Sequence, residues 1–162
     1  MQSLNYPNDI WKNEFEQRLQ PIDRILMNTL YSLSDTTVSM SILEKCFNHR
    51  IKITDTDTSL NQFADTISRL NGAMIRLVDR DGILGVEVIN PSVNDYLKAY
   101  LNNNPLEMDS IINAALYYRQ LERCCSEEEL VTVIGNYFDD KRILDLKFDN
   151  RDNREYFIAS QI

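Results

Sequence analysis

Apolar residues recur at helical spacing along most of the chain and switch to a two-residue alternation over one short stretch. Ile22, Ile25, Leu26, Leu30 and Leu33 share one face of a helix predicted over residues 22–33, the i, i+3, i+4 spacing of a helix that buries one side. Ahead of it, Ile10, Trp11, Phe15 and Leu19 predict a first helix opened by Asn8 or Asp9. Pro21 ends that helix and suits the first position of the next. Ser34-Asp35-Thr36-Thr37 reads as a turn, and Ile42, Leu43, Cys46 and Phe47 predict a third, short helix capped by Ser39 or Ser41. A polar loop follows at Thr54-Asp55-Thr56-Asp57-Thr58. The clearest stripe is Leu60, Phe63, Ala64, Ile67 and Leu70, a helix over 59–71 with a capping box at Ser59 and Gln62 and with Gly72 as its left-handed stop.

The period then shortens. Residues 74–78 and 83–89 read as strands, Val86 and Val88 alternating with Glu87, and Asp79-Arg80-Asp81-Gly82 between them carries the Asp-Gly signal of a tight hairpin. Asn90-Pro91-Ser92 starts a helix with Val93, Tyr96, Leu97, Tyr100 and Leu101 on its core face. Asn102-Asn103-Asn104-Pro105 marks a boundary, beyond which two helices are expected, over 106–124 and 126–137, the second opened by a capping box at Ser126 and Glu129. The charged tail over 139–162 carries Ile143, Leu144, Leu146, Phe148, Tyr156, Phe157 and Ile158, a further helical piece or a docking segment.

Helix, short helix, capped helix and hairpin are the order of a winged helix, the hairpin being the wing. The expected fold is mainly α: a winged-helix core of three helices and a β-hairpin, with additional N- and C-terminal helices. The expected division is an N-terminal helical segment (1–20), a winged-helix domain (21–102) and a C-terminal helical extension (105–162). The helix over 59–71 takes the position that reads DNA in helix-turn-helix proteins. Asn61, Gln62 and Arg69 on it, with Arg76 and Arg80 on the wing, form a candidate interaction surface.

Charge weighs against DNA. The chain has 17 basic and 25 acidic residues, a net charge of −8, whereas phosphate contacts dominate duplex affinity. Over residues 59–90, Arg69, Arg76 and Arg80 face Asp65, Asp79, Asp81 and Glu87. The same balance disfavours an anionic membrane surface, and no apolar run approaches the length of a membrane span. The first residues lack the apolar core of a secretion signal. The three cysteines, Cys46, Cys124 and Cys125, are odd in number, and adjacent cysteines make poor bridges, a pattern that suits the reducing cytoplasm.

Catalytic chemistry is not predicted. No glycine is followed by lysine, so the loop that cradles nucleotide phosphates is missing. His49, the one histidine, is expected in a polar turn after the third helix as a solvated residue, leaving cysteine or serine without an evident base. The cysteines lack zinc-ligand spacing, and Asp139-Asp140 and the run 149–152 lack a calcium-loop pattern. Glu127-Glu128-Glu129 suits a helix N-terminus; Tyr117 and Tyr118 with Leu116 and Leu121 read as packing. No cofactor or metal is expected.

One family resemblance adds to this. Asp23-Arg24-Ile25-Leu26-Met27-Asn28-Thr29-Leu30-Tyr31-Ser32-Leu33 resembles the first helix of the winged-helix segment of bacterial STAND-type NTPases, the signal-transduction ATPases with numerous domains. Ile89-Asn90-Pro91-Ser92-Val93-Asn94-Asp95-Tyr96-Leu97 is similar to the helix that follows their wing, and the resemblance spans residues 11–101. It implies a non-catalytic regulatory and protein-interaction domain, a segment of a larger signalling or defence protein whose ATPase module lies elsewhere and whose other domains are its partners. In such proteins the winged helix packs on the nucleotide site and helps hold the inactive state. Some relatives carry a phosphate-sensing histidine at the wing-to-helix junction; that position here is Asn90, a candidate sensor or a helix cap. The alternative expectation is a winged-helix DNA-binding transcriptional regulator.

Overall fold

Proline and asparagine set most of the helix starts in the computed structural model, which describes residues 7–140. Helix α1 (Pro7–Lys12) continues into a π-helical segment (Asn13–Arg18), where the periodicity predicts a plain α-helix. The wider turn seats Phe15, fully buried, edge-on to Tyr96 and Tyr100 at centroid separations of 5.6 and 4.9 Å. Arg24 Nη1 donates to Leu19 O (2.7 Å) just past the segment's end, supplying one of the partners that terminal carbonyls require.

Helix α2 (Pro21–Leu33) begins at the proline, as expected, and buries Leu26, Leu30 and Leu33. Asp23 Oδ2 accepts from Gln20 N (3.0 Å) at its start. A two-residue strand, β1 (Val38–Ser39), follows, and Ser39 Oγ then accepts from Ile42 N to open α3 (Met40–Ile53). This helix is longer than the spacing of Ile42, Leu43, Cys46 and Phe47 predicts, because Arg50 and Ile51 continue the buried face. His49 consequently lies inside α3 and half-buried, not in a solvated turn.

The capping expectation for the next helix is corrected. Helix α4 spans Gln62–Leu70, and its cap is Asn61, whose Oδ1 accepts from Ala64 N (3.2 Å). Ser59 instead donates its backbone N–H to Asp57 Oδ1 (2.9 Å), a local turn that keeps it out of the helix and leaves Leu60 67% exposed. Gly72 follows the helix at φ 89°, the left-handed region that glycine enters without strain.

Strands β2 (Ile75–Arg80) and β3 (Ile83–Val88) form the wing, in register Ile75 with Val88 and Leu77 with Val86. Asp81 and Gly82 both take positive φ, 54° and 82°, the geometry of a tight turn that matches strand twist. β1 pairs antiparallel on the other side of β3, giving the order β1-β3-β2. Gly85 permits that approach, since a Cβ there would run into Thr37 Cγ2.

Helix α5 (Pro91–Asn102) buries Val93, Tyr96, Leu97 and Leu101. The long helix expected over 106–124 is two: α6 (Pro105–Asn113) and α7 (Tyr118–Cys124). Gln120 Oε1 accepts from Leu116 N (2.8 Å) and Tyr117 N (3.1 Å), so a side chain four residues on satisfies the donors of the break. Helix α8 (Glu127–Asp140) has Glu129 N donating to Ser126 Oγ (3.2 Å). Residues 141–162 lie outside the described residues, and with them most of the expected tail element and the acidic run 149–152.

The architecture is mainly α with a three-stranded antiparallel sheet whose hairpin is the wing. One apolar cluster runs from Phe15 through the winged helix to Leu121 and Cys124 of α7. No helix among the described residues is long and apolar enough to cross a membrane.

Candidate functional site

The position of the DNA-reading helix in this fold is taken by α4. Its outward residues are Ala64, Asp65, Ser68 and Arg69, preceded by the cap Asn61. Arg69 is the helix's one cation, and it turns back onto α2: Nε and Nη2 both donate to Asp23 Oδ1, at 3.0 and 2.6 Å, and Nη2 also reaches Thr66 Oγ1 (3.1 Å). Asp23 is buried, so the pair is only partly open to water. A guanidinium engaged this way must break a charge-assisted contact before it meets a phosphate.

The rest of the expected surface is also occupied. Asn61 commits its carbonyl to the helix cap, and half-buried Gln62 donates Nε2 to Asp57 O (3.3 Å). On the wing, Arg76 sits across from Glu87 at 3.4 Å, an exposed pair that adds little stability. Arg80 ends β2 beside the Asp81-Gly82 turn, exposed. The structure thus spreads these five residues along α4 and the wing without forming a continuous cationic face. The same sheet face that buries Ile75 and Val86 extends outward to Leu77 and Leu84, 38% and 46% exposed and diagonal to one another in the register. The two leucines make a small exposed apolar patch midway along the wing, bordered by Asp79 opposite Leu84.

Asn90 is the residue ahead of α5, and its Oδ1 accepts from both Ser92 N (2.9 Å) and Ser92 Oγ (2.8 Å). Trp11 Nε1 completes the chain by donating to Ser92 Oγ (2.7 Å), which ties α1 to the wing-to-helix junction. That geometry is a helix cap with its acceptor in use.

A charged groove is lined by residues of α2, α5 and α7. Two half-open clefts of about 400 and 430 Å³ meet at Tyr31, Lys98 and Arg123. Arg123 lies over the Tyr31 ring (4.6 Å to the centroid) and donates Nε to Tyr31 O (2.7 Å) and Nη2 to Asp35 Oδ1 (2.6 Å). Asp35 and Asp95 line one cleft, Asp109 and Glu129 the other, so each balances the two cations with two carboxylates. Half-buried Cys125 also lines the first cleft, with its thiol pushed up to about 11 by burial and by Glu129 and Asp109; burial pushes Cys124 up to about 12. Thiols so raised stay protonated at neutral pH and are poor nucleophiles. Among the described residues, no cluster of three or more histidine, cysteine or carboxylate side chains is arranged to hold a metal.

The pattern of apolar positions overlooks a buried polar seam. Arg50 of α3 is 4% exposed and donates Nη2 to Glu107 Oε2 (2.6 Å) of α6, where Asn28 Nδ2 also donates (2.8 Å). Gln120 Nε2 donates to Ser32 Oγ (2.8 Å) in the same layer. Position 50 follows 43, 46 and 47 on the buried face at helical spacing, a signal for Arg50 that the sequence carries; nothing local marks Glu107 as its partner, or Gln120 as that of Ser32.

Comparison with protein-family models, curated proteins and solved structures returned no match.

Proposed function

We propose that this chain is a non-catalytic regulatory and protein-interaction domain whose winged helix packs against another protein domain. The observation that carries the reading is the state of α4: its one cation, Arg69, is bonded to Asp23, leaving Ala64, Asp65 and Ser68 outward. A helix that reads DNA needs several Arg, Lys, Asn or Gln side chains directed at base edges and phosphates. A neutral to acidic helix beside a wing that exposes Leu77 and Leu84 suits a protein surface instead. In keeping with the STAND-type resemblance, the domain couples an ATPase carried by another segment to an effector. The alternative, a DNA-binding regulator, is supported by element order alone.

Fluorescence anisotropy with a labelled duplex at low salt, where electrostatic affinity is greatest, separates the two. We expect no saturable binding. Saturable binding that weakens as salt is raised overturns the proposal in favour of DNA. ATP binding or hydrolysis by the chain alone would overturn its non-catalytic part.

A further inference from the structure

The seam between α6 and the winged helix is unusually poor in completed hydrogen bonds. Arg50 and Asn28, 4% and 1% exposed, meet there over one carboxylate oxygen, Glu107 Oε2. Arg50 Nη2 also reaches Ser110 Oγ at 3.4 Å. Arg50 Nε and Nη1 and Asn28 Oδ1 are buried without a partner. A guanidinium has five donors in a fork that fits a carboxylate two-pronged, and here one nitrogen of the fork is used. Buried polar groups without partners carry their full desolvation cost.

The apolar seating of α6 is correspondingly thin. Leu106 is 82% exposed, Met108 is half-buried, and only Ile111 and Ile112, in the last turn, are buried. Neighbouring α7 is anchored differently, by buried Tyr117, Leu121 and Cys124 and by the Gln120 and Arg123 hydrogen bonds. The asparagines 102–104 and the non-helical break at 114–117 flank α6.

We propose that α6 is a latch: it lifts from α2 and α3 as a unit while α7 stays docked, in a sub-global opening that hydrates Arg50 and Asn28. Water reaching these three unpartnered polar atoms offsets much of the cost of unseating Ile111 and Ile112, so this opening lies well below global unfolding. It also uncovers a guanidinium. A ligand that pairs Arg50 more fully than one carboxylate oxygen does shifts the chain toward the open state by mass action.

Amide hydrogen exchange on the full chain tests this. We expect the amides of residues 108–113 to exchange at least about ten-fold faster than the slowest amides of α2, α3 and α7. Glu107→Ala removes the counter-charge of Arg50 from the closed state, and every opening that breaks this contact becomes easier by the same amount, so α6 and the slowest amides of α2, α3 and α7 should accelerate by a similar factor of about ten, with α6 remaining the faster. Uniform protection across the four helices in the wild type, or unchanged exchange of α6 in Glu107→Ala, overturns the latch. Glu107→Gln keeps the shape and one acceptor oxygen if the alanine variant does not fold. A smaller acceleration that includes α6 supports the proposal; unchanged exchange of α6 overturns it.

Discussion

Helices α3 and α6 meet at Arg50, and different physics holds each in place. Helix α3 buries Ile42, Leu43, Cys46, Phe47 and Ile51. Each large apolar side chain contributes about 1.5–3 kcal/mol on burial, and that gain does not depend on exact orientation. Helix α6 buries Ile111 and Ile112, half-buries Met108 and otherwise rests on Glu107. A buried ion pair recovers its desolvation cost only with good geometry and satisfied neighbours, and here three polar atoms go without. Apolar seating fixes an element unconditionally, whereas an incompletely bonded polar seat holds only while all of its partners stay in place.

The sharpest way to break this contrast is Phe47→Ala. Phe47 is fully buried and packs on Phe63 at a centroid distance of 5.6 Å, so truncation should lower global stability by about 3–5 kcal/mol in urea unfolding. A reduction under about 1 kcal/mol would mean that α3 is no better seated than α6.

Alkaline pH probes α7, between the two extremes. The Cys124 thiol titrates near 9 in an unfolded chain and at about 12 when folded, because burial disfavours the thiolate. The unfolded chain therefore releases this proton first, and the stability tied to it is complete below pH 9 and declines as pH rises from 9 towards 12. Cys125, raised to about 11 chiefly by burial, acts in the same direction, as do the raised hydroxyls of Tyr31 and Tyr96. The Cys124 contribution at pH 10 is on the order of 1 kcal/mol. Thermal unfolding between pH 8 and 11 should show a falling midpoint, with a shallower fall in Cys124→Ala; a flat profile would mean that α7 is hydrated at its thiols.

The smallest effects concern the cap of α4. Asn61→Ala should cost about 1 kcal/mol and Ser59→Ala less than about 0.5 kcal/mol in the same urea assay. The reverse order would restore Ser59 as the cap and with it a helix about half a turn longer.

How far the sequence could be read depended on the range of the interaction. Helix α2 was legible from Pro21 and five apolar positions, the wing from Asp81-Gly82, and the start of α5 from Asn90-Pro91. The end of α3 was misplaced because Arg50 looks polar in isolation, although its spacing puts it on the buried face. The α4 cap was misplaced because Ser59 and Asn61 both offer a capping side chain, and the Asp57 carboxylate decides between them.

Sequence alone determined what neighbouring residues can settle: helix periodicity, proline and asparagine starts, and a turn that needs two positive φ angles. Only the tertiary structure decided the rest. Strand β1 exists because Gly85, nearly fifty residues later, leaves room for Thr37. The α6–α7 break is closed by Gln120, and Arg50, Asn28 and Glu107 share a seam across 57 and 79 residues of chain. Arg69 of the candidate surface is held instead by Asp23, 46 residues away. Charge pairing and desolvation depend on distances in space, and those distances exist only once the chain has folded.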